Sequence, residues 1–124
     1  MTPFQQFLNS QYAYDKYLAN GATWTEGGCW LLAVAVKEVL GGQYLAVKGS
    51  SGVTEHVAVW HAGRLIDGDG FSTPEVFVAR WRSRYKVKGA DIVAFDPEHA
   101  KLGGMRPPLK HIAQHLERDL RPYL

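Results

Sequence analysis

Thiols are almost missing from this chain: its 124 residues include a single cysteine, Cys29. A lone thiol excludes an intramolecular disulfide and a zinc site built on paired cysteines, and it fits a reducing compartment. A charge excess is missing too. Fourteen Lys and Arg stand against 12 Asp and Glu, a formal +2, which carries no global signal for nucleic acid. The longest apolar run, Cys29 to Val36, falls far short of the roughly 18 residues of a membrane span. The opening MTPFQQFLNSQ has no basic region leading into an apolar segment, so the expectation is no secretory signal and a cytoplasmic location. Glycines at 49 and 52, or at 68 and 70, complete neither a P-loop nor a dinucleotide fingerprint, and no cofactor is expected.

What is present suits one compact domain over 1–124, since 46% apolar and 21% charged residues are ordinary globular proportions. Thr2, Pro3 and Gln5 form an N-cap, first-turn and capping-box arrangement before apolar positions at Phe4, Phe7, Leu8, Tyr14 and Leu18, which predicts one amphipathic helix. Asn20-Gly21 stops it, and Thr23 to Gly28 reads as a small polar connection. From Cys29 the apolar residues Leu31, Leu32, Val34, Val36, Val39 and Leu40 cover more than one helical face, so this helix should be enclosed by other elements. Gly41-Gly42 ends it.

Four segments then read as strands from their β-branched and aromatic content: Tyr44 to Lys48, His56 to Trp60, Leu65 to Asp67 and Asp91 to Phe95. Ala62-Gly63 offers a tight connection between the middle two, which predicts a hairpin whose paired residue numbers sum to 125. Ser72 and Glu75 suggest a capping box around Pro74, opening a helix with Val76, Phe77 and Trp81. Leu109, Ile112, Ala113, Leu116 and Leu120 predict a last amphipathic helix between Pro107-Pro108 and Pro122. The expected class is α+β, with helices first and a small antiparallel sheet after them.

Chemistry concentrates at Gly27-Gly28-Cys29-Trp30. A thiol at a helix start faces unpaired N–H groups and the positive end of the dipole, both of which stabilise a thiolate. A lone cysteine is otherwise a small buried hydrophobe. His56, at the start of a strand after a polar loop, is the best base candidate, projecting from the sheet edge toward the central helix. A Cys29–His56 ion pair explains both placements. Its imidazole needs an orienting group. Asp69 lies directly opposite His56 in the hairpin register and Asp67 is diagonal to it. Asp67 is preferred because it ends the run Leu65-Ile66, whereas Gly68 and Gly70 place Asp69 in a turn.

With these residues the chain resembles the papain-like superfamily of cysteine enzymes. The likeness is closest to its small bacterial, phage and toxin-associated branches, including transglutaminase-like and bacteriocin-processing peptidase types. GGCW is similar to their nucleophile segment, and HVAVWHAGRLIDGDG to the His-strand-turn-strand-Asp half of the compact members; the resemblance covers roughly residues 24 to 81. It implies a papain-like fold and a Cys29–His56–Asp67 triad, with Asp69 as the alternative third member. Acyl transfer through a thioester follows, with peptidase, amidase, deamidase or transferase outcomes and a protein or peptide-like substrate. No glutamine lies between Asn20 and Gly28 to serve papain's oxyanion hole. Backbone N–H groups at Cys29 or Trp30, with Thr23, Thr25 or their loop, are the candidates instead. The rival reading is a catalytically silent papain-like binding or inhibitor protein of phage or bacterial origin.

Arg80, Arg82, Arg84, Lys86 and Lys88 form the one basic cluster, interleaved with Trp81 and Tyr85. At helical spacing Arg80, Arg84 and Lys88 form a solvated face beside a packed Phe77-Trp81-Tyr85 face, which speaks against nucleic acid and offers a surface for an acidic partner. His111 and His115 have a metal-ligand spacing but no third ligand and no intervening Glu, so no metal is expected. His61 and His99 fall in predicted turns without distinctive partners.

Overall fold

The computed structural model describes residues 1–124. Two short helices open the chain, α1 (Pro3–Leu8) and α2 (Gln11–Tyr17), followed by the central helix α3 (Cys29–Leu40). The strands β1 (Gln43–Lys48), β2 (Thr54–His61), β3 (Arg64–Asp67) and β4 (Gly70–Ser72) come next. Helix α4 (Pro74–Ser83), strand β5 (Asp91–Ala94), helix α5 (Lys110–Leu120) and a 3-10 turn (Arg121–Tyr123) complete an α+β fold. Its sheet is antiparallel throughout, in the order β4-β3-β2-β1-β5.

The expected first helix is two helices. Thr2 and Gln5 do make the capping box, but the helix stops after Leu8 and Ser10 caps a second one through the N–H of Ala13. A serine hydroxyl competes well for a free backbone N–H, so an apolar period alone did not carry one helix through the break. At α4 the N-cap is Thr73 rather than Ser72, which belongs to β4. That helix also ends at Ser83, so Tyr85 and Lys88 lie beyond it and the expected basic face does not extend to Lys88.

Alternation along β2 divides the core. Val57 and Val59 join Ile66 against α3, together with Phe4 and Leu8 of α1 and Leu116 and Leu120 of α5. Ala58 faces the other way, with Val47 and Leu65, toward Phe77 and Trp81 of α4. Helices thus cover both faces of the sheet, and α3 is enclosed as its composition implied, burying Leu31, Leu32, Ala33, Ala35 and Val36. The expected polar connection before α3 contains a core residue: Trp24 is buried, and its indole donates to the Leu8 carbonyl at 2.6 Å. This bond anchors the loop before Cys29 to α1.

Candidate functional site

Cys29 is the first residue of α3, with Gly28 as a cap that has no side chain to occupy the helix end. Glycine is required there by contact: a Cβ on Gly28 would come 2.5 Å from Leu18 Cδ2 and 2.9 Å from the Thr23 carbonyl. Gly27 has φ of +96°, a conformation open to glycine. The two glycines therefore let the Thr23–Gly28 loop close tightly and deliver the thiol at the helix N-terminus.

His56 is fully buried in β2, the middle strand of the sheet, rather than at a sheet edge as its place in the sequence suggested. The hairpin register is the expected one, with Val59 opposite Ile66, Trp60 opposite Leu65 and His61 opposite Arg64. Extrapolated, it would set Asp69 against His56, but β3 ends at Asp67 and the chain turns into β4. Asp67 therefore makes the contact: its Oδ2 lies 2.7 Å from His56 Nε2. The N–H of Asp69 donates to Asp67 Oδ1 at 2.9 Å, so the turn holds the carboxylate in place. Asp69's own carboxylate points elsewhere, accepting from the Tyr85 hydroxyl at 2.7 Å and lying near Arg80 and Arg84.

Helix α4 supports the imidazole from its face. Trp81 lies against His56 with centroids 4.5 Å apart and the rings tilted by 32°, and Tyr85 lies against Trp81 at 4.4 Å with a tilt of 35°. With Nε2 committed to Asp67, Nδ1 is left buried without a hydrogen-bond partner and is the ring nitrogen free for the thiol. The protonated thiol itself donates to Met105 Sδ at 3.7 Å. Burial pushes the thiol pKa up, but the neighbouring His56, with the N–H groups of Val57 and Trp30, outweighs it and leaves the thiol below its ordinary value. Burial likewise opposes a charged His56, yet Asp67 and Cys29 overcome it and raise the imidazole to about 10. Both directions follow from one close pair of groups, each favouring the charged form of the other.

That pair sets an expected pH profile of stability. A raised histidine contributes stability in full below its ordinary 6.5 and loses it as pH rises toward about 10; a lowered thiol contributes in full above its ordinary 9.0 and loses it as pH falls. Between 6.5 and 9 the two contributions slope in opposite directions, so the lowered thiol offsets part of the decline that the raised histidine causes. The native chain should therefore lose less stability across this range than a chain with the histidine alone. In Cys29→Ser that offset is lost, and stability should decline more steeply from pH 6.5 upward. Urea unfolding at several pH values, compared between the two chains, measures the difference; parallel curves would show that no ion pair exists.

The other candidates divide between loop structure and cleft. Thr23 Oγ1 accepts the N–H of Glu26 at 2.9 Å and sits 3.2 Å from Thr25 Oγ1, so its hydroxyl is occupied in shaping the loop. Thr25 lines the cleft beside Cys29. The Trp30 indole packs edge-on against Phe95 at 5.2 Å, away from that cleft, and only its backbone N–H bears on the thiol. Arg80 donates to Ser72 Oγ at 2.9 Å and, like Arg84, lies beside Asp69, so the basic cluster is partly answered within the chain. His99 does have a partner, Asp96 Oδ2 at 2.7 Å from its Nδ1. His111 and His115 are exposed on α5.

The cleft at Cys29 measures about 280 Å³ and is walled by the loop before α3, the start of β2, Trp81 and Tyr85, and Leu102, Gly103 and Met105. Larger depressions elsewhere, including one lined by Trp30 and Pro107, hold none of these groups. Sequence reading missed Met105 and Glu55 as cleft residues. Glu55 has no partner on β1, where the register jumps from Val47–His56 to Lys48–Thr54. This bulge places Glu55 on the cleft wall.

A measurable separation of the two aspartates follows. Asp67→Asn should raise the apparent pKa of Cys29, since an amide favours the wrong tautomer and supports the imidazolium poorly. Asp69→Asn keeps the backbone N–H that holds Asp67 and should leave that pKa nearly unchanged. Alkylation of Cys29 across pH decides between them, and a larger shift in Asp69→Asn would reverse the assignment. Compared with protein-family models, curated proteins and solved structures, the chain matches none.

Proposed function

We propose that the protein is a cysteine-dependent acyl-transfer enzyme of papain-like type, with Cys29 as nucleophile, His56 as acid and base and Asp67 as the orienting carboxylate. One observation carries this reading: a buried histidine has one nitrogen held by a buried carboxylate and the other unpartnered, beside the chain's sole thiol at a helix N-terminus. A merely structural histidine would satisfy both nitrogens.

The Cys29 thiolate attacks the carbonyl carbon of an amide, forming a C–S bond and an oxyanion. Backbone N–H groups at the start of α3 are the donors available to that oxyanion. The His56 imidazolium gives its proton to the leaving nitrogen as the C–N bond breaks, and a thioester remains on Cys29. Water or an amine, deprotonated by His56, attacks the thioester and releases the acyl group and the thiol. The hydrolytic outcome is a peptidase, amidase or deamidase; the amine outcome is a transferase.

Cys29 is 3% exposed and lies under Met105, which favours the rival reading of a catalytically silent scaffold that binds another protein. An activated ester separates the two. Mixed with p-nitrophenyl acetate, the enzyme should release a burst of nitrophenol near one equivalent and gain one acetyl group on Cys29 by intact mass. His56→Gln should lose the burst. No acylation of the folded native chain would establish the silent scaffold.

A further inference from the structure

The Cys29 cleft has walls of one charge sign, although the chain as a whole is slightly basic. Apart from Cys29 and Tyr85, its ionisable wall groups are Glu26 and Glu55, one from the loop before α3 and one from the β2 bulge. Both are exposed, and neither carboxylate enters an ion pair or side-chain hydrogen bond. Glu38, Glu75 and Glu98 are exposed and unpaired as well, but none of them lines this cleft, so it is position beside Cys29 that sets Glu26 and Glu55 apart.

A second, independent feature points to a ligand on the same wall. Trp81 is 4% exposed, lines the cleft, and has an indole Nε1–H with no acceptor. A buried indole N–H ordinarily finds a partner. An acceptor delivered by the substrate, such as a peptide carbonyl, would satisfy it.

We infer that the cleft takes a peptide bearing a positively charged side chain next to the reacting carbonyl, with Glu26 and Glu55 reading the cation and Trp81 Nε1–H holding a backbone carbonyl. This rests on the proposed role of Cys29 and specifies its substrate. Two unpaired carboxylates at the mouth of a narrow cleft raise the local concentration of cationic chains and reject anionic ones. A dry apolar cleft would show no such preference.

The test uses three peptidyl chloromethyl ketones that differ only in the residue beside the ketone, Lys, Gln or Glu. Each forms a C–S bond to Cys29 and expels chloride, so rates are read without a natural substrate, and each rate is normalised to that of iodoacetamide on the same variant. At low salt the Lys reagent should exceed the Glu reagent by roughly tenfold, with Gln between them, and added salt should compress the series. In Glu26→Gln/Glu55→Gln the order should collapse toward equality. Trp81→Phe, which retains an aromatic ring, should slow all three peptidyl reagents severalfold relative to iodoacetamide. Equal rates for Lys and Glu, or an undiminished preference in the double variant, would overturn the cation site and leave the nucleophile intact. An iodoacetamide rate indifferent to His56→Gln would instead remove the proposed function, while the Lys-to-Glu ratio would still report the charge of the cleft.

Discussion

Replacing His56 with glutamine should slow alkylation of Cys29 at pH 6 by roughly 10- to 100-fold. A thiol at its ordinary 9.0 is ionised to about 0.1% at pH 6, so a pair that keeps the thiolate formed has a large reservoir of reactivity to lose. Part of that loss is offset, because a thiolate of higher pKa is intrinsically more nucleophilic. Glutamine is the informative substitution. Its amide reaches toward Asp67 and spares the buried carboxylate the loss of its partner, whereas alanine would leave Asp67 unpaired in a site where it is 2% exposed. The rate of iodoacetamide labelling is followed by intact mass from pH 5 to 10, with thermal unfolding as a control for the fold. A native profile that coincides with His56→Gln would mean that Cys29 behaves as an ordinary buried thiol.

The second large effect is on stability. Leu32→Ala should cost about 3 to 5 kcal/mol, the upper part of the range for a buried leucine. Leu32 is 1% exposed on α3, in the cluster that joins Phe4, Leu8, Val57 and Leu116. Elements on three sides hold the wall of the resulting cavity apart, so little collapse relieves it. For a chain of this size the change corresponds to a fall in Tm of roughly 10 °C or more. Val93→Ala, on the half-exposed strand β5, should cost less than about 1 kcal/mol. Urea unfolding of both variants gives the comparison. A small effect at Leu32 would show that α3 is not packed on both the sheet and α5, and would remove the support that positions Cys29.

Local interactions account for what could be read from residues alone. The Thr2–Gln5 capping box, the apolar coverage of α3, the Gly41 stop and the Ala62-Gly63 hairpin each act within a few positions, and each reappears in the fold. Where two local signals competed, the pattern misled: Ser10 caps a new helix inside the expected one, and Thr73 displaces Ser72 as the cap of α4. Trp24 looked like part of a polar connection because its acceptor, the Leu8 carbonyl, belongs to a different helix.

The candidate site divides along the same line. Residue chemistry alone singled out Cys29 at a helix start, His56 as the base and Asp67 ahead of Asp69 in a Gly-flanked turn. The sequence could not determine the depth at which His56 sits, because burial depends on β1 and β3 flanking its strand and on α4 laying Trp81 against the ring. Nor could it place Glu55 or Met105 beside the thiol. A bulge against β1 sets the first, and the second arrives on a loop whose path is fixed through the Thr54 N–H bond to the Lys101 carbonyl. These contacts join residues far apart in the chain, and their geometry follows from how whole elements pack, which no local spacing encodes.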